Sequence, residues 1–355
     1  MNHSLQWIAS DAAAHLMAPT PRDHKYSRGV LGVRTGSRSY PGAAALGVEA
    51  AWRAGVGLVQ FTPQLGDAGP RFGMQSPAEL VLATRPETVV TRDATRVTAW
   101  LIGSGTLPAE RDATETAALT SLFGEQRPLV VDAGALELCL GRRDTALRAA
   151  PVAITPHAGE FARLWRGLGE PQPTDDAEAA AVLAARLNVT VLLKGSVTTV
   201  APPAGRVITV GPATPWLATA GTGDVLAGIL GALAARHADI IGDPDHPWAF
   251  AELCATASLL HDTAARLAAG AAGPSGAAGP SGAVGPSGAA GPSGAAGRPI
   301  VALDVAHQLP AAVELLARAG AAASAETGAG TDTGTGARTD AATGAATSAE
   351  TDARR

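Results

Sequence analysis

The sequence predicts an α/β fold, in which a mostly parallel central sheet is flanked by helices on both faces. Between about residues 26 and 265, short apolar runs rich in β-branched residues alternate with alanine-rich stretches of helical pattern. Several of these runs pass directly into polar or glycine-rich clusters, as strands do at the ligand-binding edge of an open parallel sheet. The chain has 355 residues, of which 46% are hydrophobic, and it can bury the large core that such a sheet needs.

Eight apolar runs are the predicted strands. They are residues 30–33, 58–62, 100–102, 129–131, 152–154, 189–193, 198–201 and 207–210. Three of them end in clusters that should meet at one edge of the sheet, namely residues 103–105, 132–134 and 155–157. That edge is the predicted position of a ligand site.

The composition argues against several other classes of protein. A net charge of −5 and the absence of a basic cluster speak against nucleic acid as a partner. No apolar run reaches the roughly 18 residues of a membrane span, and the first residues lack a secretory signal pattern, so we expect no membrane partner and a cytoplasmic location. Cys139 and Cys254 lie far apart without the spacing of a zinc site, which predicts two core thiols.

Lysine is scarce in this chain. The 27 lysine and arginine residues include only two lysines, Lys25 and Lys194. A chain that uses arginine so heavily should keep lysine chiefly where a compact, mobile ammonium is needed, because the planar guanidinium replaces it poorly. Lys194 directly follows an apolar run, where an unpaired charge would be costly, so an anionic partner is expected for it. The alternative for either residue is a chance surface lysine.

Residues 1–320 form one predicted domain, which a repeat interrupts. Residues 270–297 carry glycine at every third position in units of Gly-Pro-Ser-Gly-Ala-Ala. This pattern formally matches collagen, but so few triplets with so little proline favour a flexible linker. Globular sequence resumes near Pro299, and a helix is predicted for residues 310–318. Residues 321–355 lack large apolar side chains and are predicted to be disordered.

The most informative motif is the turn formed by Gly221, Thr222, Gly223 and Asp224, which leads into apolar residues at helical spacing. Glycines let the backbone approach an oxyanion, and the free amides and dipole of a starting helix attract it, so a phosphate is the predicted ligand. Asp224 could merely cap the helix. Beside a phosphate, however, its carboxylate could take the proton of a substrate hydroxyl that attacks phosphorus.

An ordered series of motifs resembles the NAD(P)H-hydrate dehydratases, a carbohydrate-kinase-related family with the ribokinase-like fold. The resemblance runs from about residue 7 to 265 and from 299 to 316. It rests on His24-Lys25, Gly36-Ser37 and residues 41–44, 103–105, 132–136, 155–161, 193–195 and 221–228. It implies a lyase that uses ADP, or ATP, with Mg²⁺ to dehydrate the S epimer of hydrated NADH or NADPH. Phosphate would be transferred to the hydrate hydroxyl and then lost.

The resemblance also implies roles for individual residues. Ala43, Ala44, Gly105 and His157 would bind the hydrate, and Asp224 would contact it as the catalytic base. The nucleotide would be held by residues of two segments, namely Lys194, Gly195, Ser196, Val197, Thr198, Gly221, Thr222 and Gly223. No protein ligand to a metal is predicted.

Several of these motifs have structural alternatives. Residues 41–44 could be a helix start built for packing, and Thr155 to Glu160 could be a strand-to-helix turn in which His157 has no role in binding. Asp132 could cap a helix, or help to hold magnesium or substrate. The chain also departs from the family, which usually has proline at Ser104, aspartate at Gly134 and glycine at Tyr26.

The same turn suits other functions. A small-alcohol kinase such as hydroxyethylthiazole kinase shares the fold and the glycine-aspartate motif, and a nucleotide-binding regulator without turnover would keep the phosphate seat. The resemblance further implies a homo-oligomer, commonly a tetramer. It also implies a separate epimerase as a functional partner, because the roughly 200 residues of a fused epimerase domain are not found in this sequence.

Overall fold

The computed structural model describes residues 4–64, 73–143, 149–270 and 297–329. Within these ranges ten strands form one sheet, in the order β1-β10-β9-β8-β7-β6-β5-β2-β3-β4. Neighbouring strands are parallel except on both sides of β9. The strands are β1 (Leu5–Gln6), β2 (Val30–Arg34), β3 (Leu58–Phe61), β4 (Val89–Val90), β5 (Ala99–Ile102), β6 (Leu129–Val131), β7 (Val152–Ile154), β8 (Thr190–Leu193), β9 (Thr198–Ala201) and β10 (Ile208–Val210).

Helices cover both faces of the sheet, as predicted. They are α1 (Ala9–Ala13), α2 (Gly42–Arg53), α3 (Pro77–Thr84), α4 (Ala113–Leu122), α5 (Ala158–Leu168), α6 (Asp176–Leu187), α7 (Thr222–Arg236), α8 (Ala249–Ala269) and α9 (Ala302–Ala329). One core contains α2 and α7 to α9, and the other contains α4 to α6. Cys254 is buried in the first core and Cys139 in the second. No described helix is long and apolar enough to cross a bilayer.

The two central helices of the first core, α2 and α7, touch through glycines. A side chain at Gly228 would come 2.2 Å from the carbonyl oxygen of Gly47, so only glycine permits this approach. Gly231, one turn later, lies against the side chain of Leu31 in β2. These contacts fix α7 against the sheet, and with it the turn at which α7 begins.

The eight predicted strands are all present, with bounds that differ by at most one residue. The two that were not predicted, β1 and β4, are two residues long and leave no periodic pattern. Both lie at the ends of the sheet order.

The last predicted helix is longer than expected. Helix α9 starts at Ala302 and contains Pro310 in its interior, because its buried positions Val305, Leu309 and Leu316 continue the core-facing stripe past the proline. It also runs nine residues into residues 321–355, which were predicted to be disordered, and the alanine-rich sequence there explains the helix. The rest of that tail, and residues 271–296 of the repeat, lie outside the described residues.

The two ends of the repeat meet. The backbone N–H of Arg298 donates a hydrogen bond of 2.8 Å to the carbonyl oxygen of Ala269, the last residue of α8. Gly297 is packed so closely on Ala269 that a side chain there would lie 2.9 Å from the Ala269 Cβ. The chain therefore leaves α8 and returns to it at the same place.

The parallel strands bring the predicted clusters to one edge. Strands β5, β6, β7 and β8 are consecutive neighbours in the sheet. The residues that directly follow them are Gly103, Asp132, Thr155 and Lys194. An isolated bridge pairs His157 with Lys194 beyond the last regular pairs. This edge is where the sequence predicts a ligand site.

Candidate functional site

The N-terminus of helix α7 lies at this edge of the sheet. Its N-cap is Gly221, whose φ of 89° is favourable for glycine alone among the common residues, and no side chain caps the helix. A side chain at Gly221 would also come 2.7 Å from Leu46 and 3.0 Å from Ala302. The capping alternative for Asp224 is therefore not observed, because no side-chain oxygen in the described part of the chain caps this helix. The N–H of Thr222 donates to the carbonyl oxygen of Thr219 at 3.4 Å, and the first-turn amides that follow it form an anion-binding site together with the helix dipole.

Two cavities open on either side of this turn. The larger has a volume of about 1040 Å³, and Gly221 and Asp224 line it. The smaller has a volume of about 540 Å³, and Thr222 and Gly223 line it. Residues 221–224 thus separate the two cavities, and Asp224 lines the larger one.

The larger cavity contains part of the predicted hydrate group. Ala43 and Gly105 line it together with Asp224. Gly105 has a φ of 64°, and a side chain there would approach the Cβ of Ala43 to 2.2 Å, so the loop and α2 meet only because the residue is glycine. Ala44 is fully buried and packs near Gly36 instead of lining the cavity.

The smaller cavity contains most of the predicted nucleotide group. Lys194, Gly195, Ser196 and Thr198 line it with Thr222 and Gly223. The Nζ of Lys194 lies 3.4 Å from the place of a side chain on Gly223, so the ammonium stands directly over the start of α7. Val197 belongs to the same turn, but its side chain is exposed and outside the lining. Gly221, predicted with the nucleotide, borders the larger cavity.

His157 lines a different cavity from Ala43 and Gly105. It lines the smaller cavity with Lys194, whereas the sequence grouped it with the hydrate residues. Its backbone explains the position, because His157 caps α5: its Nδ1 accepts from the N–H of Gly159 at 3.0 Å, and its own N–H donates to Glu160 Oε2 at 2.9 Å. The ring is thereby held near the strand end of Lys194.

A buried charge network holds Lys194. Its Nζ lies 3.1 Å from Asp132 Oδ1 and 3.9 Å from Glu160 Oε2. Asp132 is fixed in turn by Ser104 Oγ, which donates to Oδ2 at 2.9 Å, and by Thr155 Oγ1, which donates to Oδ1 at 2.7 Å. Burial alone would lower the pKa of Lys194, but the carboxylates, Asp132 foremost, outweigh it and raise the pKa. The lysine is therefore a fixed cation at the anion-binding site.

The acidity of Asp224 is set by the same surroundings. Burial, followed by the nearby charge of Asp132, raises the pKa of Asp224 to about 7, against the opposing effect of Lys194. A carboxyl group that titrates near neutral pH can accept a proton far better than an ordinary aspartate. Raised pKa values of this kind are typical of functional sites.

Two departures from the family pattern have a local explanation. Ser104, in place of proline, supplies one of the two hydroxyl donors to Asp132. At Gly134, in place of aspartate, a side chain would come 2.1 Å from the carbonyl oxygen of Thr106. The residues present are therefore consistent with one another. The structure offers no explanation for Tyr26, whose ring lies between Lys25 and Arg96 away from both cavities.

Helix α8 contributes residues that were not predicted from the sequence. Ser258 and His261 line the smaller cavity, and the Nε2 of His261 is buried without a hydrogen-bond partner among the described residues. Burial lowers the pKa of His261 to about 4, so the ring is neutral near pH 7. Their only signal in the sequence is a serine and a histidine three residues apart in an apolar helix, which also suits ordinary core positions.

The carboxylates of the candidate site do not form a complete metal-binding site on their own. In the ranges that the structure describes, no group of three or more histidine, cysteine, aspartate or glutamate side chains is placed to hold a metal ion. Magnesium usually needs only one or two carboxylates when phosphates supply the other oxygens. The carboxylate of Glu160, which lines the larger cavity 3.9 Å from Lys194, fits that mode.

Comparisons with known proteins identify relatives of this chain. A family model described as NAD(P)H-hydrate dehydratase matches residues 31–280. The chain is 43% identical over 235 residues to the bifunctional NAD(P)H-hydrate repair enzyme Nnr of Mycobacterium tuberculosis. The aligned residues make up 65% of this chain and 46% of that protein. Over 234 residues it is 32% identical to an ADP-dependent (S)-NAD(P)H-hydrate dehydratase of Xanthomonas campestris, covering 63% of this chain and 78% of that protein. The chain spans about half the length of its bifunctional relatives.

Solved structures show the same fold. The ADP/ATP-dependent NAD(P)H-hydrate dehydratase of Bacillus subtilis, co-crystallised with ATP and Mg²⁺, is 26% identical and superposes with a TM-score of 0.65, covering 88% of this chain and 99% of that one. A ribokinase-like superfamily protein of Enterococcus faecalis, 22% identical, gives the same TM-score over 89% of this chain and 97% of that one. The predicted ribokinase-like architecture is confirmed.

Proposed function

Because the chain belongs to the NAD(P)H-hydrate dehydratase family, we propose that it uses a nucleotide phosphate to dehydrate the S epimer of hydrated NADH or NADPH and so regenerates the reduced cofactor. The observation that carries the proposal is the pair of cavities that meet at one turn. A reaction between a nucleotide and a dinucleotide needs two compartments with a shared border, and Asp224 and Gly223 stand on opposite sides of it. The matches also favour this activity over a small-alcohol kinase.

The nucleotide occupies the smaller cavity in this proposal. Lys194 stands over Gly223, so the ammonium and the first-turn amides of α7 together neutralise the charge of the terminal phosphate. Asp132, which holds Lys194, keeps the ammonium in place without having to contact the nucleotide. Ser196 and Thr198 add hydroxyl donors at the same end.

The hydrate occupies the larger cavity with its hydroxyl at Asp224. As the hydroxyl oxygen attacks the terminal phosphorus, Asp224 takes its proton, and the bond from phosphorus to the bridging oxygen of the nucleotide breaks. ADP would leave as AMP. The ring nitrogen of the phosphorylated hydrate then expels inorganic phosphate, and loss of a proton from the neighbouring carbon restores the dihydropyridine ring. Gly105 and Ala43, which leave this wall without long side chains, admit the ring.

A magnesium ion would accompany the nucleotide. Glu160, together with phosphate oxygens, is the side chain that would hold it, and the ion would neutralise part of the phosphate charge. Glu160 faces Lys194 at 3.9 Å and lines the larger cavity, so it is at the border where the phosphates would lie.

The pH dependence of the reaction tests the role of Asp224. Because its pKa is raised to about 7, the base is protonated and inactive at acid pH and becomes active as the pH rises through that value. We expect kcat/KM to rise about tenfold per pH unit below this value and to level off above it. A profile that is flat between about pH 5 and 8 would contradict the role of Asp224 as the base.

The proposed activity itself is tested by supplying hydrated NADH with ADP or with ATP. Return of the near-ultraviolet absorbance of NADH reports the dehydration, and chromatography identifies AMP or ADP as the nucleotide product. From the name of the Xanthomonas relative we expect turnover with ADP, while the Bacillus enzyme accepts either nucleotide by its name. Recovery with neither nucleotide would overturn the proposed function.

The proposed setting follows from the same family. The relative from Mycobacterium tuberculosis is bifunctional by name, and we propose that an epimerase activity supplies the S epimer to the site described above. We further propose a cytoplasmic homotetramer. Mass measurement of the purified protein in solution, by light scattering, checks the tetramer.

A further inference from the structure

The larger cavity is lined by negatively charged side chains, although its proposed ligand, the dinucleotide hydrate, is itself negatively charged. A dinucleotide carries a pyrophosphate with two negative charges, yet three carboxylates line this cavity, those of Glu137, Glu160 and Asp224. Glu160 and Asp224 belong to the network around Lys194, and Glu137 pairs with Arg111 at 2.5 Å. Like charges repel strongly where water is partly excluded, and the proposed magnesium ion would lie with the nucleotide phosphates, so a cation near the pyrophosphate of the substrate would favour its binding.

Arg163 is that cation. It is the one basic side chain among the described residues that line the larger cavity. It is exposed, and it forms no ion pair with any residue that the structure describes. An arginine that borders a cavity and lacks an internal partner is free to pair with a ligand, and its planar fork matches two phosphate oxygens at once.

Its place along α5 fits the length of the substrate. Glu160, one helical turn before Arg163, lies near the reacting end, since its charge acts on Asp224. Side chains three residues apart on a helix are roughly 5–6 Å apart at Cβ, and the long arginine reaches further. In the dinucleotide one ribose separates the nicotinamide ring from the pyrophosphate, which is a similar distance.

From these observations we propose that Arg163 binds the pyrophosphate of the dinucleotide hydrate and so selects dinucleotides over shorter hydrates. The inference rests on the proposed function, because it assigns the larger cavity to the hydrate. In this proposal Arg163 contacts the pyrophosphate and not the hydroxyl that reacts. Its loss should therefore weaken substrate binding more than it slows the chemical step.

The test compares Arg163→Ala with Arg166→Ala in the full-length protein. Arg166 is an exposed arginine on the same helix that does not line either cavity, so it controls for loss of charge on α5. We expect Arg163→Ala to raise the KM for hydrated NADH by about ten- to a hundredfold, as loss of a charge-assisted hydrogen bond does. The KM for ADP and the thermal midpoint should stay at wild-type values. Arg166→Ala should match the wild type, and Arg163→Lys should fall between.

A shortened substrate separates pyrophosphate binding from a structural effect. Hydrated reduced nicotinamide riboside lacks both phosphates, so Arg163→Ala and the wild type should use it, or be inhibited by it, equally well. Failure of the wild type on hydrated NADH would overturn the proposed function. If the wild type is active, an unchanged KM in Arg163→Ala would overturn the inference, and so would an equal loss on the riboside or a raised KM for ADP.

Discussion

Asp224→Asn is expected to lower kcat for the dehydration of hydrated NADH by about two to four orders of magnitude, the usual contribution of a general base. Asparagine keeps the size of the side chain at the border of the cavities but cannot accept the hydroxyl proton. ADP binding should remain, because Lys194 and the first turn of α7 are unchanged. Turnover is measured by recovery of NADH, and ADP binding by calorimetry. Equal turnover in the variant and the wild type would refute the mechanism.

Asp224→Asn is expected to lower activity but to raise the stability of the folded protein at alkaline pH. The pKa of Asp224 is raised in the folded protein, so folding favours its protonated form, and that contribution is lost as the pH rises from about 4 through about 7. Asp224→Asn should therefore unfold at a higher temperature than the wild type near pH 8, with the difference shrinking near pH 5. Asp176→Asn, an exposed aspartate in the first turn of α6, is the matched control and should change neither activity nor this pH dependence.

Lys194→Met is expected to reduce kcat/KM for ADP by about a hundred- to a thousandfold, as loss of one stabilising donor at a transferring phosphate does. It should also lower the free energy of unfolding by about 2 kcal/mol, because it leaves the buried Asp132 without its cation. The loss is smaller than for a fully buried pair because 20% of the lysine side chain stays exposed. Kinetics and denaturant unfolding measure the two effects.

Two further variants separate these effects. Lys25→Met removes the other lysine, which lies over Tyr26 away from both cavities, and should behave as the wild type in both measurements. Lys194→Met combined with Asp132→Asn should recover stability, because no unpaired charge remains, but not the use of ADP. Wild-type affinity for ADP in Lys194→Met would show that the lysine does not contact the nucleotide.

Much of the fold and site could be predicted because both follow from local patterns. Alternating apolar and polar runs specify strands and helices, and the rule that ligands bind at the carboxyl ends of parallel strands brought Asp132, Thr155 and Lys194 to one edge. The glycines of the turn at Gly221 pointed to a close backbone approach, and its φ of 89° agrees. Family resemblance, more than physics, supplied the substrate.

The other features of the candidate site depend on tertiary contacts, which the spacing of residues along the sequence does not predict. The sequence grouped His157 with the hydrate residues, whereas the ring lines the smaller cavity, because its capping bonds to Gly159 and Glu160 decide where it points. The spacing of Ser258 and His261 was not distinctive, because a histidine in an apolar helix suits a core position equally well. Arg163 is one of 25 arginines, and only the shape of the cavity distinguishes it from Arg166.

The hydrogen bond between Arg298 and Ala269 has a consequence for how this chain can diverge. Because the segment enters and leaves at a single point, the distance it must bridge is independent of how many six-residue units it contains. Gain or loss of whole units by slippage of a repetitive coding sequence would preserve the reading frame and both anchors. Related chains should therefore differ in repeat number more readily than in any residue at the two anchors.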